Sequence, residues 1–444
     1  MAYAIDLFCG AGGMSEGVLQ AGFHILFSSD INEDVEVTYR NRHEQLGYIQ
    51  GENTYFKRCD IRELSGDEIV KCIKSLNIFK NGTRKFPERI DAIFGGPPCQ
   101  GFSRAGKRNP NDPRNMLFKE YLRLIKELNP RYVVMENVEG FNDTRLTILD
   151  DLYGAPYNDE LVSNILTTEL KHIGYNVLEP RVLDASDYGV PQSRKRAIFI
   201  AFKNGEKEPQ YPEPTVKKEF KLTVRDAIGD LIRDDKIRKE NNLLITNYQN
   251  ESMNGRTPCN NGKMLPKVNS PKNMELSIHS KIVVERFALH KQGETTVSLR
   301  NRILSEGINL TDYPACIKLL SDKLEITSNE VVDIFKKRKV NNDMLDILLT
   351  KKSMRKKLDP DLPSLTVVTL PDDIISPFEN RTFSVREMAR LQSFDDSFIF
   401  YGKRTTGGNR RKTEVPQYTQ VGNAVPPLLA KAVAQQIMNA LINK

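Results

Sequence analysis

The sequence predicts a doubly wound, mostly parallel α/β sheet. Three observations carry that prediction. Short apolar runs alternate with amphipathic stretches over residues 1 to 200. The first run ends in a glycine-rich turn, "DLFCGAGGMSEG" (6–17). The second and third runs end on acids, Asp30 and Asp60, at the strand ends where open α/β sheets bind ligands.

Strands are predicted over residues 3–8, 24–30, 55–60, 89–96, 131–137, 175–185 and 196–202. Each is a short apolar run bounded by polar residues or glycine. Helices are predicted over 13–21, 32–44, 66–77, 115–128 and 158–173, the stretches that link successive strands. Near residue 203 the pattern changes, and "KNGEKEPQYPEPTVKKEF" reads as a proline-rich linker. Residues 220–380 are mixed, polar and basic, with weak periodicity. From 381 order returns: "FSVREMARLQSF" has helical spacing, with Ser384 as N-cap and Glu387 three residues on. Residues 426–444 read as an amphipathic final helix. The expected organisation is a first domain over 1–204, an inserted smaller domain over 205–380, and a return to the first over 381–444.

The chain has 444 residues, 39% apolar and 28% charged, enough for two domains or one domain with a large insertion. No apolar run approaches the roughly 20 residues that span a bilayer, so no membrane role is expected. "MAYAIDLFCGAGG" has neither the basic stretch nor the cleavage site of a signal peptide, and a cytoplasmic protein is expected. The six cysteines, at 9, 59, 72, 99, 259 and 316, form no CxxC pair. That argues against disulfides and against a zinc site. Net charge is +7, and "FKKRKV" (335–340), "KKSMRKK" (351–357) and "GGNRRK" (407–412) lie in the second half. Clustered Lys and Arg neutralise phosphates, which points to nucleic acid.

The first glycine loop sits where a nucleotide-like cofactor lies in such folds. Gly10 and Gly12 supply GxG, but a dinucleotide fingerprint would place its third glycine at Ser15. No GK[ST] follows, so this is no Walker loop either. Asp30 stands where an acid bonds a ribose diol. Asp60 is positioned to bond an adenine amino group. The combination suits an adenosine without a pyrophosphate, and S-adenosylmethionine fits that description.

"GGPPCQGFS" (95–103) follows a predicted strand. Glycines allow close packing and prolines stiffen the chain, so the loop fixes where Cys99 points. Together with "DLFCGAGGMSEG", "MENVEGF", "VPQSRKRAIFIA", "RTFSVREMARLQSFDDSF" and "QYTQVGNAVPPLLAKAVAQQI", this segment resembles the ordered motifs of the cytosine-5 DNA methyltransferase family, of the prokaryotic restriction-modification type. The motifs stand in the family's order and cover residues 1–202 and 381–440.

The resemblance implies a DNA (cytosine-5-)-methyltransferase that uses S-adenosyl-L-methionine, releases S-adenosyl-L-homocysteine and needs no metal. Cytosine C5 is a poor nucleophile, and adding a thiolate at C6 makes it enamine-like. Cys99 is that thiolate by resemblance. Glu136 matches the acid that bonds and protonates N3, a task that a dry site favours. Arg194 and Arg196 alternate on a predicted strand and so share a face. In the family, arginines here hold the base O2 and anchor the catalytic loop. Phe8, Gly10, Gly12, Gly13, Asp30, Ile31, Asp60, Ile61, Pro98, Leu117 and Asn423 are expected around the cofactor. Gln100, Ser103 and Arg114 are expected on DNA phosphates, and Thr366 in "PSLTVVTL" on DNA.

The target carbon is buried in a duplex, so the base must be flipped out. The C-terminal helix is expected to cover one face of the sheet. Residues 205–380 stand where the family carries its target recognition region, which reads bases in the major groove. Double-stranded DNA is the expected partner of a monomer, with a cognate restriction endonuclease acting separately. A tRNA cytosine-5 methyltransferase of the same fold is the alternative, disfavoured by the long basic insertion. An inactive binding protein should have lost Cys99 or Glu136. An amino-group methyltransferase expects [DN]PP[YF], not "GPPCQ".

Overall fold

A computed structural model describes residues 1–98, 116–148, 156–350, 353–408, 410 and 413–442. β1 (Ala2–Leu7), α1 (Gly13–Gln20), β2 (Phe23–Asp30), α2 (Glu33–Gln45), β3 (Tyr55–Arg58), α3 (Gly66–Lys74), α4 (Asn77–Lys80), β4 (Ala92–Gly95), α5 (Leu117–Leu128) and β5 (Tyr132–Val138) alternate along the first part of the chain. β6 (Arg145–Ile148), β7 (Tyr157–Leu161), α6 (Val162–His172), β8 (Tyr175–Val177), β9 (Arg181–Asp184) and β10 (Lys195–Lys203) complete it.

The main sheet runs β3-β2-β1-β4-β5-β10-β8, with β9 also on β10. β3 to β5 pair in parallel, while β10 is antiparallel to β5, β8 and β9. This is the mostly parallel α/β sheet that the sequence predicts. The strands at its centre are buried along nearly their whole length, as parallel strands covered on both faces must be. The edge strand β3 is blunted by Gln50, whose side-chain amide bonds both the N–H and the carbonyl of Phe56.

Three predicted elements change. The run 175–185 is two strands, β8 and β9, separated by "LEP"; Pro180 has no N–H for the ladder. The helix predicted over 158–173 starts only at Val162, because residues 157–161 pair antiparallel with β6. The helix predicted over 66–77 ends at Lys74.

The stretch of weak periodicity is largely helical. It contains α7 (Val224–Ile228), α8 (Asp235–Glu240), α9 (Asn247–Asn254), α10 (Lys281–Ala288), α11 (Thr296–Glu306), α12 (Pro314–Leu324), α13 (Ser328–Lys336) and α14 (Asn342–Leu349). A two-stranded pair follows, β11 (Lys356–Lys357) with β12 (Ile374–Ile375), then α15 (Val385–Leu391), α16 (Gln417–Asn423) and α17 (Pro427–Ile442). Leu289 to Leu349 form a hydrophobic core of their own. Val224, Ile228, Tyr248, Val367 and Ile374 instead share a core with Phe383, Met388, Phe394 and Val421.

One face of the sheet packs on α3, α5 and α6 through Ile5, Ile93, Phe118, Leu122, Val133 and Ile165. The other packs on α1 and on the last helix through Phe23, Phe94, Val134, Leu429, Val433 and Ile437. α17 therefore covers this second face of the sheet, beside α1. It lies so close to α1 that a Cβ at Gly17 would stand 2.4 Å from Lys431 N and 2.5 Å from Pro427 O. Helix propensity alone favours Gly17→Ala by about 1 kcal/mol. The backbone clash predicts a net loss of about 1–3 kcal/mol, read as a lowered thermal midpoint. Gly407→Ala, where the new methyl group meets nothing within 4 Å, should leave the midpoint unchanged.

Candidate active site

β4 and β5 end side by side, with Gly95 paired to Met135, and this sets the site. The chain leaves β4 through Gly96, Pro97 and Pro98. Gly96 lies against Glu136, on β5: a Cβ there would be 3.2 Å from Glu136 Oε2. Asn137 Nδ2 donates to Pro97 O at 3.1 Å. The loop is thus tied to β5 immediately before Cys99. Cys99, Gln100, Ser103 and Arg114 lie outside the described residues.

Arg196 reaches the acid from the other side. In the antiparallel ladder it stands opposite Val138, which makes Glu136 its diagonal neighbour on the same face. Its Nε pairs with Glu136 Oε1 at 2.7 Å. Glu136 is 9% exposed, so a buried carboxylate meets a guanidinium at the mouth of the loop.

Arg194 is used differently. It precedes β10, and its buried guanidinium donates to Val367 O at 3.0 Å and Gly422 O at 2.8 Å. Burial, reinforced by the charge of Arg196, lowers its pKa well below the usual arginine range, against the pull of Glu136. Around it the segments 191–194 and 364–367 are zipped together. Ser193 N donates to Ser364 O, Ser364 N to Pro191 O, and the exposed Thr366 donates its hydroxyl to Ser193 O at 2.9 Å. Gln192 accepts from Val367 N and donates to Leu391 O and Gln392. Asn137, Gln192 and Gln392 were not singled out from the sequence. All three stand in quoted motifs, "MENVEGF", "VPQSRKRAIFIA" and "RTFSVREMARLQSFDDSF", and closeness in sequence to Glu136 and Arg194 is the signal that marks the first two.

The glycine loop forms the second half of the site. Phe8, Gly10 and Gly12 have φ of 57°, 53° and 102°, so the backbone turns sharply between β1 and α1. Only glycine takes the Gly12 conformation without strain. The turn aims Gly10 N at Asp30 Oδ2, 3.0 Å away, while Asn32 N donates to Oδ1. The Ile31 N–H also bonds this carboxylate, so three backbone donors share its roughly four acceptor sites. Burial raises the Asp30 pKa. Beside it, Ile31 is 63% exposed at the carboxyl end of β2. An exposed apolar side chain thus stands next to a buried acid with acceptor capacity remaining, at the carboxyl end of the strand. Asp60 is less free: its carboxylate accepts from Arg62 N, Nε and Nη2. Ile61 is buried, and Pro98 and Leu117 are half-buried. The exposed Asn423 ends α16 just before Val425, whose carbonyl would lie 2.3 Å from a Cβ at Gly13. Asn423 is thereby held near the glycine turn.

A sequence model described as C-5 cytosine-specific DNA methylase matches residues 3–439. The chain belongs to the C-5 cytosine-specific DNA methylase family. It is 32% identical to the type II methyltransferase M1.HphI of Haemophilus parahaemolyticus, over 99% of this chain and 87% of that protein. It is 30% identical to the type II methyltransferase M.DdeI of Desulfomicrobium norvegicum, over 98% of this chain and 88% of that one. A crystal structure of an Escherichia coli prophage protein described as a DNA modification methyltransferase shares the fold, with a TM-score of 0.62, 24% identity and full coverage of both chains.

As a member of this family the chain is a DNA cytosine-5 methyltransferase. Its methyl donor is S-adenosylmethionine and its substrate is DNA. Among the described residues no helix is long and apolar enough to cross a membrane, and no group of three or more His, Cys, Asp or Glu is placed to hold a metal ion.

Asp6, below the glycine turn, gives a pH test of this methyltransferase. Burial pushes its carboxyl up from 3.8 to about 7, against the hydrogen bond from Ser15 Oγ and with a smaller push from Asp30. The folded state then holds a proton that the unfolded state releases between those values. Stability contributed by Asp6 is therefore lost as pH rises from about 4 to about 7, by a few kcal/mol at most. Asp6→Asn should remove that loss. Thermal midpoints of the two proteins across this window check it, because other titrating groups are common to both.

Proposed function

We propose that Cys99, Glu136 and Arg196 form the reaction centre for a cytosine flipped out of duplex DNA. The supporting observation is the Arg196–Glu136 pair beneath Gly96 and Pro97, with Asn137 holding the loop that leads into Cys99. The Cys99 thiolate adds to C6, and the electron pair of the C5–C6 bond is pushed towards C5 and the ring. A proton on the Glu136 carboxyl is donated to N3 and neutralises the negative charge that builds there. Arg196 orients Glu136 and holds the base O2. Once C5 carries the methyl group, a base removes its proton, the C5–H pair re-forms the C5–C6 double bond, and Cys99 leaves C6 as the thiolate. S-adenosylmethionine, when bound, supplies the activated methyl group.

Asp30, Gly10, Gly12, Gly13, Phe8 and Ile31 hold the ribose and adenine of the donor in this reading. Asp60, Ile61, Pro98, Leu117 and Asn423 complete its pocket, and the demethylated donor, S-adenosyl-L-homocysteine, leaves from the same place. No metal takes part. Gln100, Ser103, Arg114 and Thr366 bind DNA, and residues 205–380 select the target sequence. Arg194 acts as an anchor for the recognition region, through Val367, and not on the base. The enzyme works as a monomer on DNA in the prokaryotic cytosol. The type II names of its relatives support a cognate restriction endonuclease that acts separately.

Transfer of labelled methyl groups to a random-sequence duplex tests the roles. Cys99→Ser should drop to background and Glu136→Gln should lose about a hundredfold or more, with DNA affinity and S-adenosylmethionine affinity kept. Substantial turnover by Cys99→Ser would remove it as the nucleophile. Bisulfite sequencing of the product identifies the protected cytosines. Transfer to tRNA in preference to the duplex would contradict the DNA reading.

A further inference from the structure

The inserted helices carry a feature that the reaction centre does not use. α12 and α13 are joined by only three residues, Glu325, Ile326 and Thr327. Glu325 is left-handed, with φ 56° and ψ 41°, and its N–H bonds Ser321 O. Ile326 packs against the separate hydrophobic core of this unit. Thr327 caps α13 in a reciprocal box with Glu330. A turn of three residues between two packed helices is the connection that a helix-turn-helix uses. In DNA readers of that shape the second helix lies in the major groove.

The faces of α13 fit that role. Val331 and Phe335 are buried against the core. Asn329, Asp333 and Lys336, at spacings of four and three, are exposed on the opposite side. The helix runs directly into Lys337, Arg338 and Lys339, all exposed, so that four cations stand at its end. Arg338 is left-handed, with φ 60°, which turns the chain there towards α14. Both acids of α13 have local tasks: Glu330 accepts from Thr327, and Asp333 pairs with Lys337 at 2.8 Å. An amide in the first turn suits base edges, and lysines at the far end suit phosphates.

We infer that α12, the turn and α13 form a helix-turn-helix that places α13 in the major groove of the substrate duplex. Asn329 reads a base edge there, and Lys336 and Lys339 neutralise phosphates. This rests on the DNA reading given above and assigns the sequence-reading element within residues 205–380.

The test uses the full-length enzyme, a random-sequence duplex pool and two variants, Lys336→Ala/Lys339→Ala and Asn329→Ala. For the double variant, the slope of log affinity against log salt should shrink by about one per lysine removed, with affinity about tenfold weaker. Asn329→Ala should relax the bisulfite-mapped target at one position. S-adenosylmethionine affinity and thermal midpoint should be unchanged in both, since every altered side chain is exposed. An unchanged salt slope in the double variant overturns the inference, as does an unchanged target profile in Asn329→Ala. The two readings fail separately. A wild type that protects no cytosine, yet whose salt slope falls on lysine removal, sinks the catalytic proposal and leaves α13 on DNA.

Discussion

The antiparallel pairing of β10 with β5 is the constraint on which the site depends. A buried carboxylate at the end of a strand is costly unless a cation meets it. Here the ladder register supplies the cation, because Arg196 opposite Val138 is diagonal to Glu136. A slip of one residue would turn Arg196 to the other face of the sheet and leave Glu136 buried without it. The parallel pairing of β4 with β5 then brings Gly96 against the same carboxylate. Asn137, one residue further on, ties down Pro97. Acid, cation and the start of the loop, as far as Pro98, are therefore positioned by three neighbouring strands.

A second buried junction connects this site to the rest of the chain. Gln192 and Arg194 gather the backbone of residues 367, 391 and 422 into one cluster. Those residues come from the segment before β12, from α15 and from α16. The junction abuts the start of β10, so the strand that carries Arg196 follows directly on the residues that hold segment 364–367. Arg390 binds the buried Asp396 and the half-buried Asp230, and Arg42 binds Glu16, both buried. Removing one partner from such a pair leaves an uncompensated buried charge. These segments thus keep one fixed relation to the sheet.

The sheet was legible in the sequence because strands buried on both faces are near-continuous apolar runs. The turns at Gly10–Gly12 and Gly95–Pro98 were legible because their residue types are the ones such turns require. The helical insertion was not legible as helices. Its elements are only 5 to 11 residues long and their exposed faces are crowded with charge, so the 3.6-residue period is weak. The pairing of residues 157–161 with β6 was missed because "YNDEL" has few strand-forming residues. The anchoring of Arg194 could not be read at all, since Val367 and Gly422 are 173 and 228 residues away and contribute only backbone carbonyls. Sequence alternation assigned Arg194 and Arg196 to one face, but Arg194 lies before the strand begins.

The central claim is that the loop tied over Glu136 presents Cys99 to C6 of a flipped cytosine. Covalent trapping tests it most directly. The enzyme is incubated with S-adenosylmethionine and a random-sequence duplex in which 5-fluorocytosine replaces cytosine. Fluorine at C5 cannot leave as a proton does, so the thiol adduct persists. The account predicts a denaturation-resistant protein–DNA complex, formed only with the methyl donor, whose modified peptide maps to Cys99. No complex, or attachment at another residue, would contradict it.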